Sequence, residues 1–226
     1  MIEFMIDTAN LEAITRYVDL FPVAGVTSNP SILELEGKID FFPHLRKIRE
    51  IIGPGRSLHV QVIAEDAQGI IKESETILKK LDDRVFIKIP STEEGFKAMR
   101  HLWQRGVRIT ATAVYTQIQG FMAAACDVDY IALYYNRMKN MDIDADHSIR
   151  TLRNVLDREK MGAKILAASF RTIRQTTDAI SSGAHGVTVP DRLLRDAFGL
   201  PIIKTAVDDF HKAWVSIQGD VSIAEL

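Results

Sequence analysis

The chain is poor in the features that would mark most other classes of protein. Its 226 residues include one cysteine, Cys126, so no internal disulfide can form, which fits a reducing compartment. Cys126 sits in FMAAAC on a stretch of helical character, where it reads as a small packed apolar residue rather than a nucleophile. There is no excess of either charge. A net charge of -2 at pH 7 argues against a nucleic-acid or anionic-membrane surface, so any preference for anions must come from a local site. No hydrophobic run has the length needed to span a bilayer, and the first residues, MIEFMIDTANLE, show no basic stretch followed by an apolar one, so a cytoplasmic protein is expected. Also missing are the G-x-x-x-x-G-K phosphate loop, a Gly-x-Ser-x-Gly elbow, a dinucleotide glycine fingerprint after the first apolar run, and paired histidines at metal-ligand spacing. No cofactor and no metal are indicated.

What is present is a regular alternation, uninterrupted by any Ser/Pro/Gly-rich linker. With 46% hydrophobic and 26% charged residues, the composition is that of an ordinary globular protein, and the length suits one domain. Strand-like runs are expected at Ile2–Ile6, Val23–Thr27, Leu58–Ile63, Val85–Ile89, Val107–Thr112, Tyr130–Tyr134, Lys164–Ala168 and Gly186–Val189. Helices are expected between them at Leu11–Leu20, His44–Ile52, Ala67–Leu81, Glu93–Arg105, Thr116–Cys126, His147–Lys160, Ile173–Ser182 and Ile202–Ile217, with Asp66, Thr92 and Thr172 as N-caps. Runs apolar on both faces suit parallel strands covered by helices. A single (β/α)8 TIM barrel over residues 1–226 is therefore expected, ahead of an open doubly wound sheet.

Strand parity then locates a site. In a barrel one parity faces the helices and the other the interior. Leu58, Val60 and Val62 share a face, leaving His59 and Gln61 inside; Val85, Ile87 and Ile89 leave Phe86 and Lys88 inside; Val107, Ile109 and Ala111 leave Arg108, Thr110 and Thr112 inside. Tyr130, Ala132 and Tyr134 fall together in the sixth run, and Ile165, Ala167 and Ser169 in the seventh. Asp7 and Asn29 end the first two strand-to-helix connections. Asp7, Gln61, Lys88, Thr112, Tyr134 and Ser169 thus converge on the C-terminal mouth, where barrel enzymes place their chemistry.

Lys88 is the most informative of these, because an ammonium on a buried parallel strand is costly without a task or a partner. Burial lowers a lysine pKa and frees the amine to attack a carbonyl. The competing reading is a lysine snorkelling from the strand end or paired with Asp7. Tyr134 is suited to moving protons during imine chemistry, directly or through a water held by Gln61 and Thr112; alternatively these are hydrogen-bonded filler of the mouth. Arg137 and the stretch Ser169-Phe170-Arg171 before Thr172 suit a phosphate, since guanidinium groups and helix N-termini both favour anions; surface ion pairing is the alternative for each arginine. His59, lacking a second histidine, reads as a satisfied interior imidazole.

The segments FMIDTANLE, AGVTSNPSIL, VFIKIP, ATAVYTQIQG, YYNR and LAASFRT, in this order, together resemble the short transaldolase family, most closely its fructose-6-phosphate aldolase branch. The resemblance implies a (β/α)8 barrel with Lys88 as the Schiff-base lysine, Asp7 at the first strand end, and Thr112 on the fifth strand. It also implies Thr27 and Asn29 in the substrate-binding set, and Arg137 and Ser169 on the substrate phosphate. Transaldolases of this kind carry glutamate at the position of Gln61 and typically phenylalanine at that of Tyr134; the aldolase branch carries glutamine and tyrosine. The resemblance further implies a ring-based homo-oligomer, pentamer or decamer, in which Phe210 and Trp214 on the last helix are candidates for contact with a neighbour.

The expected activity is reversible cleavage of fructose 6-phosphate, or a related ketose, into dihydroxyacetone and an aldehyde. The rivals are a transaldolase and a non-catalytic barrel that binds a sugar phosphate. The segment MKNMDIDADHS after Arg137 departs from the glycine-rich stretch usual in the branch and is expected to form a loop at the mouth; Leu133 stands where proline is common.

Overall fold

The computed structural model describes residues 2–226. Its elements run β1 (Glu3–Asp7), α1 (Leu11–Leu20), β2 (Val23–Thr27), α2 (Pro30–Glu34), α3 (Phe41–Ile52), β3 (Ser57–Gln61), α4 (Ala67–Lys80), β4 (Phe86–Pro90), α5 (Glu93–Trp103), β5 (Ile109–Val114), α6 (Gln117–Ala125), β6 (Tyr130–Tyr134), α7 (Tyr135–Asn140), α8 (Ala145–Arg158), β7 (Lys164–Ala168), α9 (Ile173–Ser181), β8 (Gly186–Val189), α10 (Asp191–Phe198) and α11 (Pro201–Gln218). The eight strands are parallel and close in sequence order into a barrel, β8 returning to β1. This is the (β/α)8 architecture expected from the alternation.

Local chemistry explains where the helices start. Asp66, Thr92 and Thr172 each accept a hydrogen bond from the backbone N–H three residues on, at Gly69, Gly95 and Gln175, satisfying a donor that the first turn leaves open. Thr116 and Gln119 close a reciprocal capping box on α6. Gly95 has a second duty: a Cβ there would lie 1.9 Å from the Pro90 carbonyl oxygen, so only glycine lets α5 begin so close to the end of β4.

The strands bury both faces. Ile87, Ile89, Ile109, Ala111, Ile131 and Leu133 are fully buried against the helices, each large aliphatic contributing about 1.5–3 kcal/mol relative to an exposed side chain. Inside the barrel, Met5, Tyr130 and Leu166 pack together with Ala24 and Phe86. His59 stacks on Phe86 at 4.7 Å between ring centroids. Its ring nitrogens meet the Thr110 and Ser57 hydroxyls at 2.8 and 3.0 Å, the satisfied imidazole expected.

Several boundaries differ from the sequence reading, each for a local reason. β5 begins at Ile109 because the Val107 N–H turns back to the Leu102 carbonyl at the end of α5. Ile63 leaves β3 and is exposed, its N–H bonded to Glu73. α8 begins at Ala145 because Asp144 caps it. The expected loop over residues 138–148 is instead the second half of α7, a short turn and the first turn of α8. It is held by Asp146, which accepts from the Tyr135 hydroxyl at 2.6 Å and the Ser182 hydroxyl at 3.1 Å and pairs with Lys139.

The parity of β7 needs correction. Ala132 lies beside Leu166 and Tyr134 beside Ala168, and paired residues of parallel strands face the same way. Leu166 and Ala168 therefore point inside while Ile165 and Ala167 face the helices. Ser169 lies one residue beyond the strand with φ +64°, so this left-handed turn, not strand alternation, sets its direction.

Residues 1–191, which contain every strand, form one compact unit, and residues 192–226 a second. Within the second, the Trp214 indole donates to the Val221 carbonyl at 2.7 Å, tying the tail to α11.

Candidate active site

Lys88 is only 5% exposed. Its Nζ donates to the Ser28 carbonyl oxygen at 2.7 Å, a contact open to the ammonium and the neutral amine alike. Burial lowers its pKa from the ordinary lysine value, more strongly than the Asp7 carboxylate raises it. The reverse holds for Asp7, which burial raises against the opposing pull of Lys88 and of the hydrogen bond from Thr27. Both groups are thus displaced toward neutrality, which brings the nucleophilic amine closer to physiological pH.

Asp7 ends β1 and accepts from the Thr27 hydroxyl at 2.7 Å; that hydroxyl also meets the Thr188 hydroxyl at 2.6 Å. This chain of contacts fixes the carboxylate from β2 and β8. Asn29 caps α2 through its Oδ1, which accepts from the Ile32 N–H at 3.0 Å, and Pro30 follows at the first helical position, where its missing N–H costs nothing. The amide nitrogen of Asn29 remains able to donate.

Gln61 stands beside Lys88 in the register of β3 and β4. Its Oε1 is buried without a hydrogen-bond partner, as are the hydroxyls of Ser28 and Ser91, and Gln61 lines a cleft of about 690 Å³ with Pro30, Pro90 and Thr92. Buried acceptors in this condition call for a ligand or a water. Thr112 donates to the Tyr134 hydroxyl at 3.2 Å. Burial raises the Tyr134 pKa, while that donation and the charge of Arg137 oppose the rise.

Arg137 is exposed on the short helix α7, its guanidinium 5.2 Å above the Tyr134 ring and its Nη1 donating to the Tyr115 hydroxyl at 3.3 Å. The two candidate phosphate elements are linked by Gln175 of α9, which donates to Asn136 of α7 at 2.8 Å and accepts from the Arg171 N–H at 2.7 Å. Direct contacts or strand register therefore connect Asp7, Thr27, Gln61 and Lys88 on one side, and Thr112, Tyr134 and Arg137 on the other. Ser169 is half-buried, with no hydrogen bond to either set among the described residues. Missed in the sequence were the Ser28 carbonyl, Thr188, Tyr115 and the Asn136–Gln175 link. Backbone acceptors leave no mark in a sequence, but Thr188 was open to the same parity argument that found Lys88. Among the described residues, no cluster of His, Cys, Asp or Glu is arranged to hold a metal, and no helix is long and apolar enough to cross a membrane.

Residues 4–221 match the family profile described as Transaldolase/Fructose-6-phosphate aldolase. The chain belongs to this family. Among its relatives, a probable fructose-6-phosphate aldolase of Streptococcus pneumoniae (strain ATCC 700669 / Spain 23F-1) is 46% identical over 221 residues, covering 98% of this chain and all of the relative. Two solved structures of low sequence identity resemble this family member in fold alone. A carboxyl transferase domain of Rhizobium etli pyruvate carboxylase, with pyruvate, superposes with a TM-score of 0.58 at 13% identity, over 84% of this chain and 40% of that one. A cube-shaped, highly porous cage designed by fusing symmetric oligomeric domains gives 0.59 at 10% identity, over 95% and 78%.

Proposed function

We propose that this family member is a class I aldolase that reversibly cleaves fructose 6-phosphate, or a related ketose, into dihydroxyacetone and an aldehyde such as glyceraldehyde 3-phosphate. The observation that carries the reading is Lys88: an amine buried at the mouth, its pKa lowered by desolvation, bonded to a carbonyl rather than neutralised in an exposed ion pair. In this mechanism neutral Lys88 adds to the ketose C2, and the carbinolamine loses water to give an iminium ion. Removal of the C4 hydroxyl proton breaks the C3–C4 bond; the electron pair flows into the iminium to form an enamine, and the aldehyde leaves. Protonation of the enamine at C3 and hydrolysis release dihydroxyacetone and regenerate the amine.

Tyr134 moves these protons, with a water held between Gln61 Oε1 and Thr112. Asp7, Thr27 and Asn29 orient the hydroxyls of the donor half, and Arg137 and Ser169 take the phosphate. Gln61 in place of a carboxylate, and Tyr134 in place of a phenylalanine, favour cleavage over the transaldolase reading. The same proposal includes assembly as a homo-oligomer, pentamer or decamer. No residue of α11 is buried, and Phe210 on it is 74% exposed; sedimentation velocity of the intact chain distinguishes such rings from a monomer.

The test of the chemistry is intact-mass spectrometry after incubation with fructose 6-phosphate or dihydroxyacetone and borohydride. A reduced adduct in the wild type, absent from Lys88→Ala, is the expected result. No adduct with either ligand would overturn the proposal in favour of a binding-only barrel, and strong acceleration of turnover by erythrose 4-phosphate would move it to transaldolase.

A further inference from the structure

Tyr115 has no part in the mechanism above, yet several contacts converge on it. Strand alternation from Thr110 and Thr112 would turn Val114 inside and Tyr115 outward. The structure does the opposite. The β5–β6 register passes from Ala111 beside Ile131 to Val114 beside Leu133, so three steps on β5 match two on β6. The extra residue is taken up at Ala113, whose φ is +55°. Leu133 faces the helices, so fully buried Val114 faces them too, and Tyr115 takes the direction of the mouth. Bulges of this kind re-aim a side chain, and a non-glycine residue persists in the left-handed region only where its surroundings hold it there.

The redirected side chain reaches two groups of the proposed site. Its ring meets Tyr134 edge-on, 5.5 Å between centroids at 70°. Its hydroxyl accepts from Arg137 Nη1 at 3.3 Å, while the same guanidinium covers the Tyr134 ring at 5.2 Å. The Tyr115 backbone N–H donates to the Gln119 side chain at 3.0 Å, within the group that caps α6, so the ring stands on a fixed base. Arg137 is exposed and long, and would otherwise sample many rotamers.

We propose that Tyr115 is a positioning residue for the phosphate end of the substrate, its hydroxyl holding the Arg137 guanidinium at the mouth while its ring braces Tyr134. This rests on the reading of Arg137 as a phosphate ligand. A sugar phosphate is then recognised by a guanidinium already oriented for it, and an unphosphorylated ketose gains nothing from the arrangement.

The experiment is calorimetric binding of fructose 6-phosphate and of fructose to full-length chains carrying Lys88→Ala, so that neither ligand is turned over, with and without Tyr115→Phe. The phenylalanine keeps the ring and removes only the hydroxyl. The Kd for fructose 6-phosphate is expected to rise roughly fivefold or more, with less than about a twofold change for fructose. In an Arg137→Ala background, Tyr115→Phe should add no further loss, because the two residues act as one unit. Equal weakening of both ligands, losses that multiply in the double variant, or a parent chain with no preference for the phosphorylated sugar would each overturn the proposal. Its failure is distinguishable from that of the aldolase reading: a trapped imine with unchanged phosphate preference in Tyr115→Phe removes only the role of Tyr115, whereas a missing imine with the preference lost as expected removes only the aldolase.

Discussion

The barrel interior has a floor and a mouth made from the same strands, and neighbouring residues of one strand serve both. β3 carries His59 and Gln61, β4 carries Phe86 and Lys88, β6 carries Tyr130 and Tyr134. At the floor, polar groups are matched. Glu3 accepts from the Tyr130 hydroxyl at 2.8 Å and pairs with Lys164; His59 is bonded at both nitrogens; the Arg108 guanidinium covers Phe86 at 5.5 Å. At the mouth, Gln61, Ser28 and Ser91 each keep a buried oxygen without a partner.

The two tyrosines of β6 put the contrast most sharply. Burial raises the pKa of both, but Tyr130 donates a hydrogen bond to the Glu3 carboxylate, which reinforces the rise, while Tyr134 receives one from Thr112, which opposes it, against a further upward push from the Asp7 charge. One phenol is committed as a donor to a carboxylate; the other accepts, which leaves its own hydrogen for the role proposed for it. Burial is common to both ends of the barrel; incomplete pairing within burial is what sets the proposed site apart.

The largest effect that would break the comparison lies at Lys88. Lys88→Ala is expected to lower turnover on the order of 10⁴-fold or more while the chain still folds; retention of aldol cleavage in a coupled assay would place the nucleophile elsewhere. Next, Tyr134→Phe should reduce kcat about 10²–10⁴-fold, whereas Tyr130→Phe should leave kcat within about twofold and instead cost about 1–3 kcal/mol of stability, because Glu3 loses a donor. Equal kinetic losses in the two variants would erase the division between floor and mouth.

His59→Gln is expected to cost about 1–3 kcal/mol at pH 7, read from urea midpoints, since one of two buried hydroxyl contacts is lost. The smallest effect is its pH dependence. Burial, with the charges of Lys88 and Arg49, holds the His59 pKa well below 6.5 in the folded chain. Above that value both states are neutral and the contribution is intact. As pH falls below 6.5 the unfolded chain takes up the proton first, and stability declines toward the folded pKa by up to about 1.4 kcal/mol per pH unit. The glutamine variant should lose that slope between pH 7 and 5.5; parallel curves for the two proteins would refute the assignment.

Much of this was legible in the sequence. The buried parallel strands announced themselves as short apolar runs, and a single polar residue at interior parity was enough to find Lys88, Gln61 and Thr112. Tyr115 was not, because the bulge that redirects it turns on Ala113, and alanine carries none of the signals that glycine or asparagine would at a positive φ. Ser169 was reached by an alternation that had ended one residue earlier. The short helices α2 and α7 lack enough turns to show a period, although Asn29 followed by Pro30 is a helix start written in side chains. Residues 138–148 looked like a loop because Lys139, Asn140, Asp142, Asp144 and His147 are exposed, while the contacts of Asp146 that hold the segment reach Tyr135 and Ser182 outside it.

Asn29 combines two duties that rest on different atoms. Its oxygen caps the start of a helix, a task that aspartate performs as well, and its nitrogen is left to donate to the substrate in the role proposed for it, a task that a carboxylate cannot share. Asn29→Asp is therefore a change the scaffold would scarcely register while the character of the pocket inverts, from a wall that offers hydrogen to one that asks for it. On the role proposed for Asn29, drift at this position acts on substrate choice more than on folding, which makes it a place where a new sugar preference can arise without first endangering the protein that carries it.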